Sequence, residues 1–245
     1  MQPILILIFA AFFGGLIRRL SGFGGALIMS PILMWIFPNI IFIPIVMSCE
    51  FLGGLFLSRK WSISKEDNPR YWRMLLFSTI LFPIGILVGE YVDSLIIKIF
   101  TSVVVTIFAF YLLINSDLKI KASKIYDCFA GGLSGILLGS CGIGGPPVAL
   151  YLNAIIHDFH RTRALLSKLV TGMALLGIVV ASFMGSGTEW TQYLFFALPA
   201  YYLGILAASF ILNRHFQSDA YLKRLCLLLM IANSLCNLVI IALFQ

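Results

Sequence analysis

Charged residues are scarce in this chain of 245 residues, where Asp, Glu, Lys and Arg together make up 11%. A soluble domain keeps about 25% to cover its surface. A chain that is 60% hydrophobic, with mean hydropathy +1.01, cannot cover itself with polar groups and belongs in lipid. Histidine is nearly missing too: His157, His160 and His215 all fall in segments that read as loops. The five cysteines, Cys49, Cys128, Cys141, Cys226 and Cys236, sit in or beside apolar runs with no paired loop spacing. Neither a disulfide framework nor a zinc site is expected, and nothing calls for a cofactor. The small net charge of +7 is gathered in particular loops, so it reads as membrane topology and not as a nucleic-acid surface. The first residues, MQPILILIFAAFFGGLIRRLSG, have an apolar core but no basic start and no small-residue cleavage pattern, and are expected to be retained.

What the chain does have is long apolar runs. Six are long enough to cross a bilayer, which takes about 20 residues: 40–58, 71–92, 94–114, 164–185, 191–212 and 225–244. Four others, Pro3–Ile17, Gly24–Phe37, Ile125–Gly139 and Pro146–Ile156, are too short. They form two pairs, 3–37 and 125–156, each interrupted by glycines. Short, Gly/Pro-interrupted segments at matching places in two halves mark the binding site of a transporter.

The halves match in register. Gly22-Phe23-Gly24-Gly25 lies 120 residues before Gly142-Ile143-Gly144-Gly145, and Gly15 lies 120 before Gly135. Gly85 and Gly89 match Gly204 and Ala208 at an offset of 119. These landmarks predict an all-α polytopic membrane protein built of two repeats, residues 1–120 and 121–245, each a broken hairpin followed by three spans. Loops at 59–73, 115–124, 157–163 and 213–224 hold 13 of the 17 basic residues, whereas those at Pro38–Asn39, near Asp93 and around Glu189 hold none. Placing the basic loops inside puts both termini outside. Three full spans per half then invert the second copy.

The breaks carry the candidate chemistry. Short helices restarting after Gly25 and Gly145 offer free N–H groups and positive dipole ends, which suits an anion. Arg18 and Arg19 precede the first break, and arginine's planar fork fits an oxyanion. Both also fit a cytoplasmic turn that obeys the positive-inside bias. The expected substrate-binding residues are therefore Arg18, Arg19 and the two runs Ser21, Gly22, Phe23, Gly24, Gly25 and Ser140, Cys141, Gly142, Ile143, Gly144, Gly145. Glu50, eleven residues into its span, either carries a coupling proton or neutralises Arg18 or Arg19. Gly132-Leu133-Ser134-Gly135 has the spacing of an intramembrane serine protease, but the last span lacks the histidine base that chemistry needs. An enzyme is not expected.

The glycine runs Ser21-Gly22-Phe23-Gly24-Gly25-Ala26, with Pro31 following, and Gly139-Ser140-Cys141-Gly142-Ile143-Gly144-Gly145-Pro146 resemble the sulfite exporter TauE/SafE family. So do Pro83, Gly85 and Gly89, and Leu198-Pro199 before Gly204. The resemblance implies a secondary transporter in the cytoplasmic membrane for sulfite, sulfonates or related sulfur or carboxylate anions. An anion channel built on the same hairpins is the alternative. The expected partners are thus a small anionic solute, the lipid bilayer, and a coupling proton or cation.

Overall fold

Helix is the only regular structure among the residues that the computed structural model describes, which are 2–58, 63–114, 120–156, 158–183, 188–215, 228, 231–239 and 241–242. In chain order the helices are α1 (Gln2–Ser21), α2 (Gly25–Leu33), α3 (Asn39–Ser58), α4 (Asn68–Tyr91), α5 (Ser94–Ile114), α6 (Lys124–Cys141), α7 (Gly145–Ile155), α8 (Phe159–Phe183) and α9 (Thr191–His215). Residues 231–239 are helical as well. Six helices, α1, α3, α4, α5, α8 and α9, are long and apolar enough to cross a membrane. The chain is a multi-pass membrane protein.

Two expectations change. The apolar run Pro3–Ile17 is not a short segment: α1 continues through both arginines to Ser21, and its 20 residues rise about 30 Å. The helix can continue because Arg18 finds buried partners on distant helices. Arg70 and Arg73, expected in a loop, lie in the first turns of α4, which starts at Asn68 with Pro69 in its first turn. Arg161 and Arg163 likewise stand in the first turns of α8. Of the span expected at 225–244, residues 228, 231–239 and 241–242 are helical, and the others lie outside the described residues. As expected, α2 and α7 are too short to cross, with 9 and 11 residues.

Packing pairs the helices across the two halves of the chain. The most extensive contacts join α4 to α6, α1 to α9 and α3 to α8. Water is absent between membrane helices, so close approach through small residues does the work that the hydrophobic effect does elsewhere. Gly15 packs on the Tyr201 backbone and Gly204 on the Phe12 backbone, which seals α1 to α9. Gly135 packs on the Ser78 backbone, Gly85 on that of Ile136, and Gly139 on that of Phe82, which seals α4 to α6. The opposite face of α4 presents Leu76, Ile80, Ile84 and Leu87 outward, as a lipid-facing stripe requires.

A Cβ added at Gly135 would collide with the Ser78 carbonyl, which cannot move without the helix. One added at Gly132 would meet only Leu81 Cδ1, at 2.6 Å, a side-chain tip free to swing. Gly135→Ala should therefore lose about 1–3 kcal/mol by overpacking. Gly132→Ala should be neutral or gain up to about 1 kcal/mol of helix propensity. Thermal unfolding in detergent compares them, and equal shifts would contradict the assigned α4–α6 interface.

Candidate functional site

The two breaks rest on backbone geometry open to glycine. Gly22 (φ 82°), Gly24 (φ 100°) and Gly142 (φ 71°) are left-handed, where a Cβ is strained. Gly142 ends α6 by donating to the Leu138 carbonyl at 3.0 Å, and Ile143 donates to that of Leu137 at 3.3 Å. Helices α2 and α7 then restart, each with amides that have no partner within the helix. Ser30, well into α2, brings its hydroxyl within 3.4 Å of the Gly142 carbonyl, and a Cβ added at Gly145 would stand 3.4 Å from the Phe23 ring.

Beside the first break lies a buried ionic cluster. Arg18 has no solvent exposure and Glu50 has 3%. Arg18 Nη1 and Glu50 Oε2 are 3.1 Å apart but not aligned for a hydrogen bond, so the contact is an ion pair alone. Arg18 Nη2 donates to the Ser167 carbonyl and to Thr171 Oγ1, both at 3.2 Å. Glu50 Oε1 accepts from the Ala26 amide at 2.7 Å and from the Tyr201 hydroxyl at 3.1 Å. The carboxylate thus sits on the N-terminus of α2, where negative charge is favoured. Three glycines make room for it. A Cβ at Gly25 would strike Glu50 Oε1 and the Tyr201 hydroxyl, one at Gly53 the Tyr201 ring, and one at Gly54 Thr171 and Arg18. Tyr201, Thr171, Gly53 and Gly54 escaped the sequence reading. Gly53-Gly54, three and four residues after Glu50 and so on its face of α3, was the available signal.

Both breaks line one small cavity. Gly24, Ala26, Leu27 and Glu50 come from the first half and Leu138 with Gly142, Ile143, Gly144 and Gly145 from the second. The space open to the centre of a water molecule is about 20 Å³, room for about one water and too little for an oxyanion, so this conformation is closed. The other expected residues stand back from it. Arg19 points to α9 and donates to Ser209 Oγ at 2.9 Å. Ser21 and Ser140 turn back on their own helices, toward the carbonyls of Ile17 at 2.8 Å and Ile136 at 2.9 Å. The Cys141 thiol is buried 3.3 Å from Ser140 Oγ. Phe23 stacks edge-on against Phe108. Ser134 is buried and its hydroxyl has no hydrogen-bond partner among the described residues.

A second set of charges ties helix ends together away from the cavity. Asp127, at the start of α6, accepts from Arg70 Nε at 3.3 Å, Arg73 Nε at 2.9 Å and the Tyr151 hydroxyl at 2.8 Å. Asp67 accepts from Arg70 Nη1 at 2.8 Å, Arg161 Nε at 2.6 Å and Ser64 at 2.8 Å. Helices α4, α6, α7 and α8 are joined here. Burial pushes the Asp67 carboxyl up, but the hydrogen bonds from Arg161 and Ser64 and the charges of Arg161 and Arg70 outweigh it. The net result is a value below the ordinary one.

Long apolar helices, glycine-broken short helices and a closed central cavity beside a buried ion pair define a membrane protein organised around an internal polar site. The family model for the sulfite exporter TauE/SafE matches residues 7–235, and the chain belongs to that family. No curated protein and no solved structure matches it.

Removing Arg18 strands Glu50 in the interior, so Arg18→Met should cost about 3–5 kcal/mol. Arg18→Met with Glu50→Gln should recover part of that loss, as a double-mutant cycle followed by thermal unfolding would read. Additive losses would deny the pair. At the other network, a carboxylate whose value folding lowers adds stability that is complete above its unfolded value near 3.9 and vanishes as pH falls through the folded value. Stability should therefore fall below about pH 4, and Asp67→Asn should flatten that part of the acid-unfolding curve.

Proposed function

We propose that this chain is a secondary transporter that moves a small sulfur-containing or related organic anion through the cavity between its two glycine breaks. Membership of the TauE/SafE family implies membrane transport of sulfite-type anions. The observation that carries the finer reading is that residues 120 positions apart, Gly24 with Gly144 and Gly25 with Gly145, belong to two breaks that line or touch one cavity. Amides at the start of α7, with Gly144 and Gly145 at its tip, supply donors without side chains. Pro146 and Pro147 remove two of those donors, so recognition on that side falls to the amides that remain.

The division into inverted repeats, 1–120 and 121–245, is supported by an exchange of partners. The first helix of each half packs on the fourth helix of the other, α1 on α9 and α6 on α4, and the third helices, α3 and α8, pack on each other. In the orientation we infer, each hairpin, α1 with α2 and α6 with α7, enters and leaves on its own side or crosses twice, the arginine-rich ends of α4 and α8 face the cytoplasm, and both termini lie outside. The alternative is an anion channel built on the same hairpins. Counterflow into proteoliposomes separates the two, since a channel cannot concentrate its solute. No catalytic role is assigned to any residue.

A Cβ at Gly144 would stand 3.1 Å from Leu138 Cδ1, and a longer side chain there would run into the cavity. Gly144→Leu should abolish uptake of sulfite and thiosulfate in a protein that still inserts and folds, at a stability cost of about 1–3 kcal/mol from overpacking that thermal unfolding measures alongside. Arg19→Ala, whose hydrogen bond points to α9, should cost about 1 kcal/mol of stability and leave transport largely intact. Normal transport by Gly144→Leu would move the site elsewhere.

A further inference from the structure

Among the described residues that line the cavity, Glu50 alone is charged. That is an awkward fixture for an anion site. Its Oε1 already fills the place a solute oxygen would take at the end of α2, on the Ala26 amide at 2.7 Å. Among the described residues its Oε2 faces Arg18 without a hydrogen bond, and Arg18 Nε and Nη1 have none either. The cluster therefore balances one positive charge against one negative charge. Its helix end is taken and its guanidinium is under-used. A solute anion entering this site would make the sum negative in a medium of low dielectric, where like charges repel strongly.

We infer that Glu50 is a tethered stand-in for the transported anion, and that it yields the end of α2 and the charge of Arg18 to the solute only on taking up a proton. This rests on the cavity being the anion site. The groups that face Glu50 are Arg18 from α1, the Tyr201 hydroxyl from α9, the Ala26 amide from α2 and, beside it on α3, the Cys49 thiol. Arginine stays protonated throughout the working range, and phenols and thiols titrate above neutrality. Glu50 is thus the group of the cluster whose negative charge a proton would cancel. With Glu50 neutral, the cluster carries one net positive charge from Arg18, which one anion cancels. The stoichiometry that follows is one proton bound with each anion. A monovalent sulfonate crosses without net charge, and a divalent anion such as thiosulfate carries one negative charge across.

Calorimetric titration of the purified protein with methanesulfonate, whose charge does not change with pH, tests this. Buffers of different ionisation enthalpy between pH 6 and 8 count the protons. The expected result is uptake of about one proton per anion and an affinity that weakens by up to tenfold per pH unit, as one-proton linkage dictates. Glu50→Gln should bind the anion with no proton uptake and an affinity flat with pH. Anion binding by the parent without proton uptake, or a Glu50→Gln protein that keeps the parent's pH dependence, would overturn the inference and leave the anion site standing. If neither methanesulfonate nor thiosulfate binds the folded parent at any pH, the anion site itself falls. Should Glu50→Gln not be recovered folded, the proton count on the parent decides alone.

Discussion

A guanidinium with no access to water sets the terms for the rest of this structure. Taking the Arg18 charge out of water carries a large desolvation penalty before any partner is found. Every neighbouring choice answers that cost. Glu50 supplies the opposite charge, and Thr171 and the Ser167 carbonyl occupy a second guanidinium nitrogen. Gly53 and Gly54 thin α3 so that Tyr201, Thr171 and Arg18 can all approach it. A buried pair of this kind is weak support for stability in itself, because desolvation offsets most of the attraction. Its partners come from α1, α3, α8 and α9, so the cluster ties these four helices to one another.

The same economy governs the helix packing. Between lipid-facing helices there is no hydrophobic gain in association, so contact depends on how closely backbones can approach. The four glycines that matched between the halves serve this purpose crosswise: Gly15 and Gly204 in one pair of helices, Gly135 and Gly85 in the other. The breaks need glycine for another reason, the left-handed backbone at Gly22, Gly24 and Gly142. One residue type thus appears at two kinds of place for two physical causes. A repeat detected through glycine alone mixes them.

Much of the architecture was legible because it is local. Runs of apolar residues mark spans, and left-handed glycines mark breaks within a residue or two. The misread segment is instructive. Apolarity ends at Ile17, yet α1 continues to Ser21, because the partners that let Arg18 stay inside lie 149 and 153 residues away in sequence. No local pattern carries that information. Tyr201 and Thr171 were missed for the same reason: each reads as an ordinary member of an apolar run until folding sets it against Glu50. Of the alternatives for Glu50, pairing with Arg18 is what the geometry shows, and Arg19 belongs to a separate contact with Ser209. The acid–base network at Asp67 and Asp127 was equally hidden, since a count of basic residues in loops does not say which of them meet a carboxylate.

The long sequence separation of these contacts also bears on how the chain is made. A membrane protein is inserted from its N-terminus as synthesis proceeds, so α1 and α3 reach the bilayer while α8 and α9 do not yet exist. At that stage Arg18 has Glu50 as its buried counter-charge, 32 residues behind it. The Tyr201 hydroxyl arrives 151 residues after Glu50. The first half of the protein must therefore wait in the membrane with its central charges only half satisfied. Delivery of the second half completes the hydrogen bonding of a cluster that the first half leaves partly unpaired.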